Sequence, residues 1–167
     1  ATGNELWRCN GIPDYVCPSI VSHNGVVYVL GGRSSKTVAV KAGGTGEVKE
    51  LWRANVGANV TSPVVYEDHL YWVSDRNKVA YCLKLSDGEV VYQERVDSQP
   101  YASSVIADGK IYVVTRRGGT IVLAAKPKFE ELALNKLTDR AQFNASPIVS
   151  GGKLYLRSDQ NLYCIAN

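Results

Sequence analysis

Two histidines, His23 and His69, and four cysteines, Cys9, Cys17, Cys82 and Cys164, are the side chains of this 167-residue chain best suited to nucleophilic or metal chemistry. The histidines stand 46 residues apart in polar turns, and neither has an Asp, Glu or Cys at the spacing a metal site needs. Both read as solvated turn residues. With only two histidines and no Gly-x-Ser-x-Gly sequence, a Ser-His-Asp arrangement has few ways to assemble. No catalytic residue and no metal ligand is therefore assigned. Cys9 and Cys17 bracket a short loop; in an oxidising compartment a bridge would close it, and otherwise they stand as two free thiols.

The elements that position these residues repeat. CPSIVSHNGVVYVLGG from Cys17, SPVVYEDHLYWVSD from Ser62, SSVIADGKIYVVTR from Ser103 and SPIVSGGKLYLRSD from Ser146 align in four copies. Matching Pro18, Pro63, Ser104 and Pro147 gives spacings of 45, 41 and 43 residues, the size of a four-stranded propeller blade. Each copy predicts a short apolar first strand (19–21, 64–66, 105–107, 148–150) and a tight turn such as Asn24-Gly25, Asp108-Gly109 or Gly151-Gly152, which favours the positive φ of hairpins. A second strand follows with Tyr28, Tyr71, Tyr112 and Tyr155 in register, then a third through Ala39, Cys82, Val122 and Cys164. That position marks Cys82 and Cys164 as small apolar core residues.

A fourth strand follows in three copies, as GEVKELWR from Gly46, GEVVYQER from Gly88 and FEELALNK from Phe129. The fourth copy lacks one, while ATGNELWR at residues 1–8 repeats the pattern of TGEVKELWR from Thr45. The expected fold is all-β: propeller blades made of four four-stranded antiparallel repeats of about 43 residues, at 18–55, 63–97, 104–137, and 147–167 with 1–8. The last blade is completed by the N-terminal strand or by a partner, because an unpaired edge is a template for aggregation. A closed ring of four blades and half of a ring of eight both satisfy this pattern. The chain contains no methionine, which points to a processed product or a fragment of something longer.

Composition fits a globular domain, with 45% hydrophobic and 21% charged residues. A net charge of +3 without a block of like charges gives no electrostatic case for nucleic acid, and no run of 18 apolar residues predicts a membrane-spanning segment. Asn59-Val60-Thr61 and Asn144-Ala145-Ser146 match the glycosylation pattern, a match common by chance.

The Thr-Gly or Gly-Glu turn followed by an aromatic, in Thr2-Gly3 with Trp7, Gly46-Glu47 with Trp52 and Gly88-Glu89 with Tyr92, resembles the blade motif of the pyrroloquinoline-quinone-like (BamB-like) propeller family. In that motif the aromatic packs between neighbouring blades. The third copy departs from it, with Ala133 at the aromatic position. The resemblance implies an origin as the C-terminal half of an eight-bladed bacterial propeller and a periplasmic or extracellular setting. Enzymes of this family place adjacent cysteines above the quinone and a Glu/Asn/Asp set around calcium; this sequence has no adjacent cysteines and no matching calcium set. The resemblance therefore implies fold rather than catalysis, and no cofactor.

By analogy with the family, the loops between second and third strands and those between blades gather on one face, where ligands bind. That face would collect Arg33, Asp75, Arg76, Arg116, Arg117, Arg140 and Asp159 with Tyr15, Tyr101 and Phe143, and Asp14 beside them. Guanidinium forks among aromatics suit an acidic peptide, an anionic polysaccharide or a quinone-like polyacid. The expected function is a non-catalytic scaffold or binding module for a protein or polymer partner. The alternatives are half of a quinone-dependent oxidoreductase and an isolated fragment without activity, whose exposed blade faces would drive dimerisation into an eight-bladed ring.

Overall fold

The computed structural model describes residues 2–166, and no helix occurs among them. A short leading strand, β1 (Trp7–Arg8), precedes four blades. Blade 1 comprises β2 (Val21–His23), β3 (Val26–Gly31), β4 (Lys36–Lys41), a two-residue strand β5 (Gly46–Glu47) and β6 (Glu50–Ala54). Blade 2 holds β7 (Val64–Tyr66), β8 (His69–Ser74), β9 (Val79–Lys84) and β10 (Val90–Arg95), and blade 3 holds β11 (Val105–Ala107), β12 (Lys110–Val114), β13 (Thr120–Ala124) and β14 (Glu131–Asn135). Blade 4 has three strands, β15 (Ile148–Ser150), β16 (Lys153–Arg157) and β17 (Leu162–Ile165). Every blade is an antiparallel meander.

Strand register corrects the alignment of the first repeat. Val21, Val64, Val105 and Ile148 lie opposite Tyr28, Tyr71, Tyr112 and Tyr155. The first strand of blade 1 is therefore Val21–His23, two residues later than the prolines suggest. The Asn24-Gly25 turn sets the register, with both residues at positive φ. Pro18 is free to sit elsewhere in the entry loop. Repeat spacing becomes 43, 41 and 43 residues, and a hydrogen-bond ladder follows it around the inner strands. Backbone N–H groups of Ser19, Ser62 and Ser103 donate to the hydroxyl oxygens of Ser62, Ser103 and Ser146 at 2.8, 2.9 and 3.1 Å.

The core lies between blades, because each sheet is apolar on both faces. Tyr28, Leu30, Ala39 and Trp52 of blade 1 pack on Leu70, Trp72, Tyr81 and Leu83 of blade 2. Tyr71, Val73 and Cys82 on the other face of blade 2 pack on Ile111, Val113, Ile121 and Leu123 of blade 3. Trp52 carries the first seam. Its indole N–H donates to the Leu85 carbonyl at 2.9 Å, and its ring lies where a Cβ on Gly88 would come within 2.4 Å. Gly88 also holds φ at 76°, so glycine is required there twice over. Tyr92 and Ala133 occupy the register position of Trp52, opposite Cys82 and Val122 as Trp52 is opposite Ala39. Tyr92 meets Phe129 edge-on, 5.7 Å between centroids. Ala133 fills little, and a groove of about 650 Å³ opens between blades 3 and 4, bordered by Tyr112, Leu137 and Leu154.

Adjacent inner strands touch in the order β2, β7, β11, β15, and β15 makes no such contact with β2. The arc is open. Of the two ways to complete blade 4, its own N-terminal strand is not the one formed: β1 pairs in parallel with β5, Trp7 opposite Gly46 and Arg8 opposite Glu47. Cys164 is exposed rather than buried like its equivalent Cys82. The register position is as expected, but it lies on the face of blade 4 that has no next blade against it.

Candidate functional site

Loops 32–35, 75–78, 115–119 and 158–161, between the second and third strands, meet the interblade segments 9–20, 55–63, 96–104 and 136–147 on one face. Backbone bonds join the two sets. Arg116 N–H donates to the Gln99 carbonyl at 3.0 Å, Phe143 N–H to the Arg116 carbonyl at 3.0 Å, and Asp159 N–H to the Gln142 carbonyl at 2.9 Å. The Gln99 side-chain amide donates to the Asp75 carbonyl at 2.7 Å, and the Arg76 guanidinium donates to the Arg33 carbonyl.

These contacts separate supporting residues from displayed ones. Asp75 is only 6% exposed, and its Oδ1 accepts from the backbone N–H groups of Asn59 and Val60 at 2.9 Å and of Thr61 at 3.4 Å. Three donors of a loop, that of Thr61 buried and those of Asn59 and Val60 half-buried, are satisfied by one carboxylate oxygen, which makes Asp75 a loop anchor. Phe143 is buried too, stacked on Tyr163 at 6.1 Å. Asp14 accepts from the N–H groups of Ser34 and Tyr15 at 2.9 and 2.7 Å, which together hold its carboxyl below the usual range.

What remains exposed is an aromatic and cationic cluster at the inner ends of blades 1 to 3. The Arg116 guanidinium lies 4.4 Å from the Tyr101 ring centroid and donates from Nε to Asn144 Oδ1 at 3.0 Å. The cation–π contact and the hydrogen bond restrain the guanidinium from two sides, and it has further N–H donors besides Nε. Tyr15, 56% exposed, stands near Tyr101 and Arg33, and its phenol is pushed up first by the Cys17 thiol beside it. Arg33 and Arg76 continue the cluster. Arg117, Arg140 and Asp159 are exposed further along the arc. Arg117 borders a cavity of about 60 Å³ beside Phe143, and Asp159 lines a shallow pocket with Asn144 and Arg157.

The Cys9–Cys17 bridge is absent: all four thiols are free. Cys9 turns to the Asn10 carbonyl at 3.7 Å and borders an outer pocket with Lys49, Glu50 and Arg53, while Cys17 sits inward beside Tyr15. His23 and His69 are half-buried rather than solvated. They border one groove between blades 1 and 2, and His69 Nδ1 is buried without a partner. Among the described residues no group of three or more His, Cys, Asp and Glu side chains is placed to hold a metal ion.

Sequence reasoning missed Asp139 and Asn144. Asp139 accepts from the Ser158 and Tyr163 hydroxyls, each at 2.6 Å, from Ala141 N–H at 2.7 Å and from Asn161 Nδ2 at 3.3 Å. The hydroxyl donors, Ser158 first, hold its carboxyl far below the usual range. The available signal was position: Asp14 and Asp139 both lie a few residues ahead of a first strand and both tie the entry loop to the loop between second and third strands.

A family model described as outer membrane protein assembly factor BamB matches residues 35–127. A search of curated proteins by sequence returns no match. Among solved structures, BamB from Moraxella catarrhalis is similar at a TM-score of 0.78 and 15% identity, over 96% of this chain and 49% of that one. This chain thus spans about half of that protein's length. The computationally designed Ika4 protein is similar at a TM-score of 0.76 and 9% identity, over 99% of both chains. A streptogramin B lyase is similar at 0.68 and 19% identity, over 93% of this chain and 53% of that one. Identities this low carry the fold alone, and the fold is shared by an assembly factor and a lyase. A family match over more than half the chain, blades in phase throughout and aromatic seams built on Gly-Glu turns lead to one assignment: the chain belongs to the BamB family of pyrroloquinoline-quinone-like β-propeller proteins.

Proposed function

We propose that the protein is a non-catalytic propeller module that binds an acidic partner, a protein segment or anionic polymer, through Tyr15, Arg33, Tyr101 and Arg116. The observation that carries this reading is Arg116, held over the Tyr101 ring with Nε bonded to Asn144, so that ordering costs little when a carboxylate arrives. The assembly-factor name attached to the matched family supports a protein partner and a periplasmic or extracellular setting. A short polyglutamate peptide and an anionic polysaccharide serve as probes in titration calorimetry. Binding should weaken with salt, and Arg116→Ala and Tyr101→Ala should each cost about tenfold or more. Equal affinity for a neutral peptide, or turnover of a bound compound, overturns the reading.

A second reading, self-association of two arcs, is favoured by the apolar side chains left open at both ends. Leu6 and Ile20 are exposed at one end, and Ile148 and Leu162, 62% and 73% exposed, at the other. Two arcs facing end to end would bury both sets and form an eight-bladed ring with twofold symmetry. Light scattering tests it: a mass independent of concentration and equal to one chain rules it out.

A further inference from the structure

Resting on the self-association reading, we infer how the two copies join: the β1 strand of one copy pairs with β17 of the other as the missing fourth strand of blade 4. In blades 1 to 3 the outer strand runs antiparallel to the third, in one register. Ala39, Cys82 and Val122 lie opposite Trp52, Tyr92 and Ala133, and two residues earlier Thr37, Ala80 and Thr120 lie opposite Ala54, Glu94 and Asn135. The equivalent positions of blade 4 are Cys164 and Leu162, and among the described residues no strand lies on the far side of β17.

β1 has the complementary deficit. Trp7 stands opposite Gly46, the turn glycine of blade 1, in strand register; unlike Gly88, which the Trp52 ring crowds, Gly46 has open space where a Cβ would lie. Gly46 N–H donates to the Leu6 carbonyl at 3.0 Å and Val48 N–H to the Arg8 carbonyl at 2.8 Å, which fixes β1 along the edge of blade 1. Among the described residues, β1 thus matches an outer strand with no inner strands antiparallel to it, and β17 a third strand with no outer strand beside it. The open arc keeps the two apart within one copy. A second copy brings them together, with the partner's Trp7 opposite Cys164 and the partner's Cys9 opposite Leu162.

Burial agrees with this occupant. Ile148, Tyr155, Leu162 and Cys164 share one face of blade 4, and their equivalents Tyr71, Ala80 and Cys82 in blade 2 are buried against the next blade. The partner's Trp7 would cover Cys164. Strand addition pairs the open edge of β17, and the one-residue bulge that precedes Trp52, Tyr92 and Ala133 in their outer strands would fall at the partner's Leu6.

A thiol test reads the register directly. Leu162→Cys in a Cys17→Ser, Cys164→Val background leaves Cys9 and buried Cys82 as the native thiols, and Val122 already supplies valine at the Cys164 position. Opposed strand residues lie within disulfide reach. Mild oxidation should convert the chain to a covalent dimer, with peptide mapping joining Cys9 to the introduced thiol. Loss of two electrons and two protons to an added oxidant such as oxidised glutathione balances each bond. Trp7→Ala should weaken the non-covalent dimer by about tenfold or more. A dimeric mass without this link overturns the strand pairing but leaves self-association standing. A monomeric mass overturns both, and the link formed within a single chain overturns the second copy as occupant.

Discussion

Trp52 offers the most direct test of what holds neighbouring blades together. Its ring fills the seam between β6 and the turn at Leu85–Gly88, and its N–H satisfies the Leu85 carbonyl at 2.9 Å. Removing a buried tryptophan costs about 3–5 kcal/mol, as lost burial plus residual cavity. Trp52→Phe keeps much of the apolar filling but strips the Leu85 carbonyl of its donor, worth about 1–3 kcal/mol. Against a total of about 5–15 kcal/mol for a domain, the alanine variant should lose a large fraction of its stability. Urea denaturation reads this as a lower midpoint at unchanged slope. Gly88→Ala closes the argument. Its Cβ would meet the ring at 2.4 Å, and alanine at a φ of 76° is strained in any background. In a double-mutant cycle, the cost of Gly88→Ala should fall by about 1 kcal/mol or more once Trp52 is alanine, because the steric part vanishes and only the backbone part stays. Equal costs in the two backgrounds, or a loss below about 1 kcal/mol for Trp52→Ala, would refute the idea that this ring seals the seam.

Other consequences follow from the same contacts. Asp75→Ala leaves three loop N–H groups without their acceptor and should cost about 3 kcal/mol in chemical denaturation, whereas Asp159→Ala, on an exposed residue, should be near neutral. Asp139 has a lowered folded pKa, so its contribution is full above the ordinary carboxyl value of 3.8 and fades as pH falls toward the folded value. Asp139→Asn should therefore destabilise the protein at pH 7, and melting curves of variant and parent should converge as pH drops below about 4. Cys82, buried and pushed up to about 11, should resist a thiol reagent at pH 8 until the protein unfolds. At concentrations where the mass is that of one chain, Cys17 and Cys164, both exposed, should react at once, and equal rates for all four would contradict the burial.

Legibility in the sequence followed where each physical signal is local. Turn pairs such as Asn24-Gly25 and Asp108-Gly109, and the tyrosines at 28, 71, 112 and 155, specify hairpin register over a few residues, and the second and third strands lie where they predict. Pro18 misled because proline constrains its own φ but pairs with nothing, so it drifts two residues in the entry loop without disturbing the strand. The site was legible as a set of loops but not as a division of labour. Asp75 and Asp159 hold equivalent loop positions, yet one anchors three N–H groups and the other faces solvent, because the segment before β15 ties to its loop through Asp139 and the Gln142 carbonyl instead. The ends of the arc mark the other limit. Cys82 and Cys164 are chemically the same residue at one register position, buried in blade 2 and exposed in blade 4. Burial in a propeller is a property of the neighbouring blade, which a repeat pattern within one blade does not encode. A ring removes that distinction, so the thiol that separates an open arc from a closed ring is Cys164: in a joined pair it should become as unreactive as Cys82, and its protection should appear only at concentrations where the mass doubles.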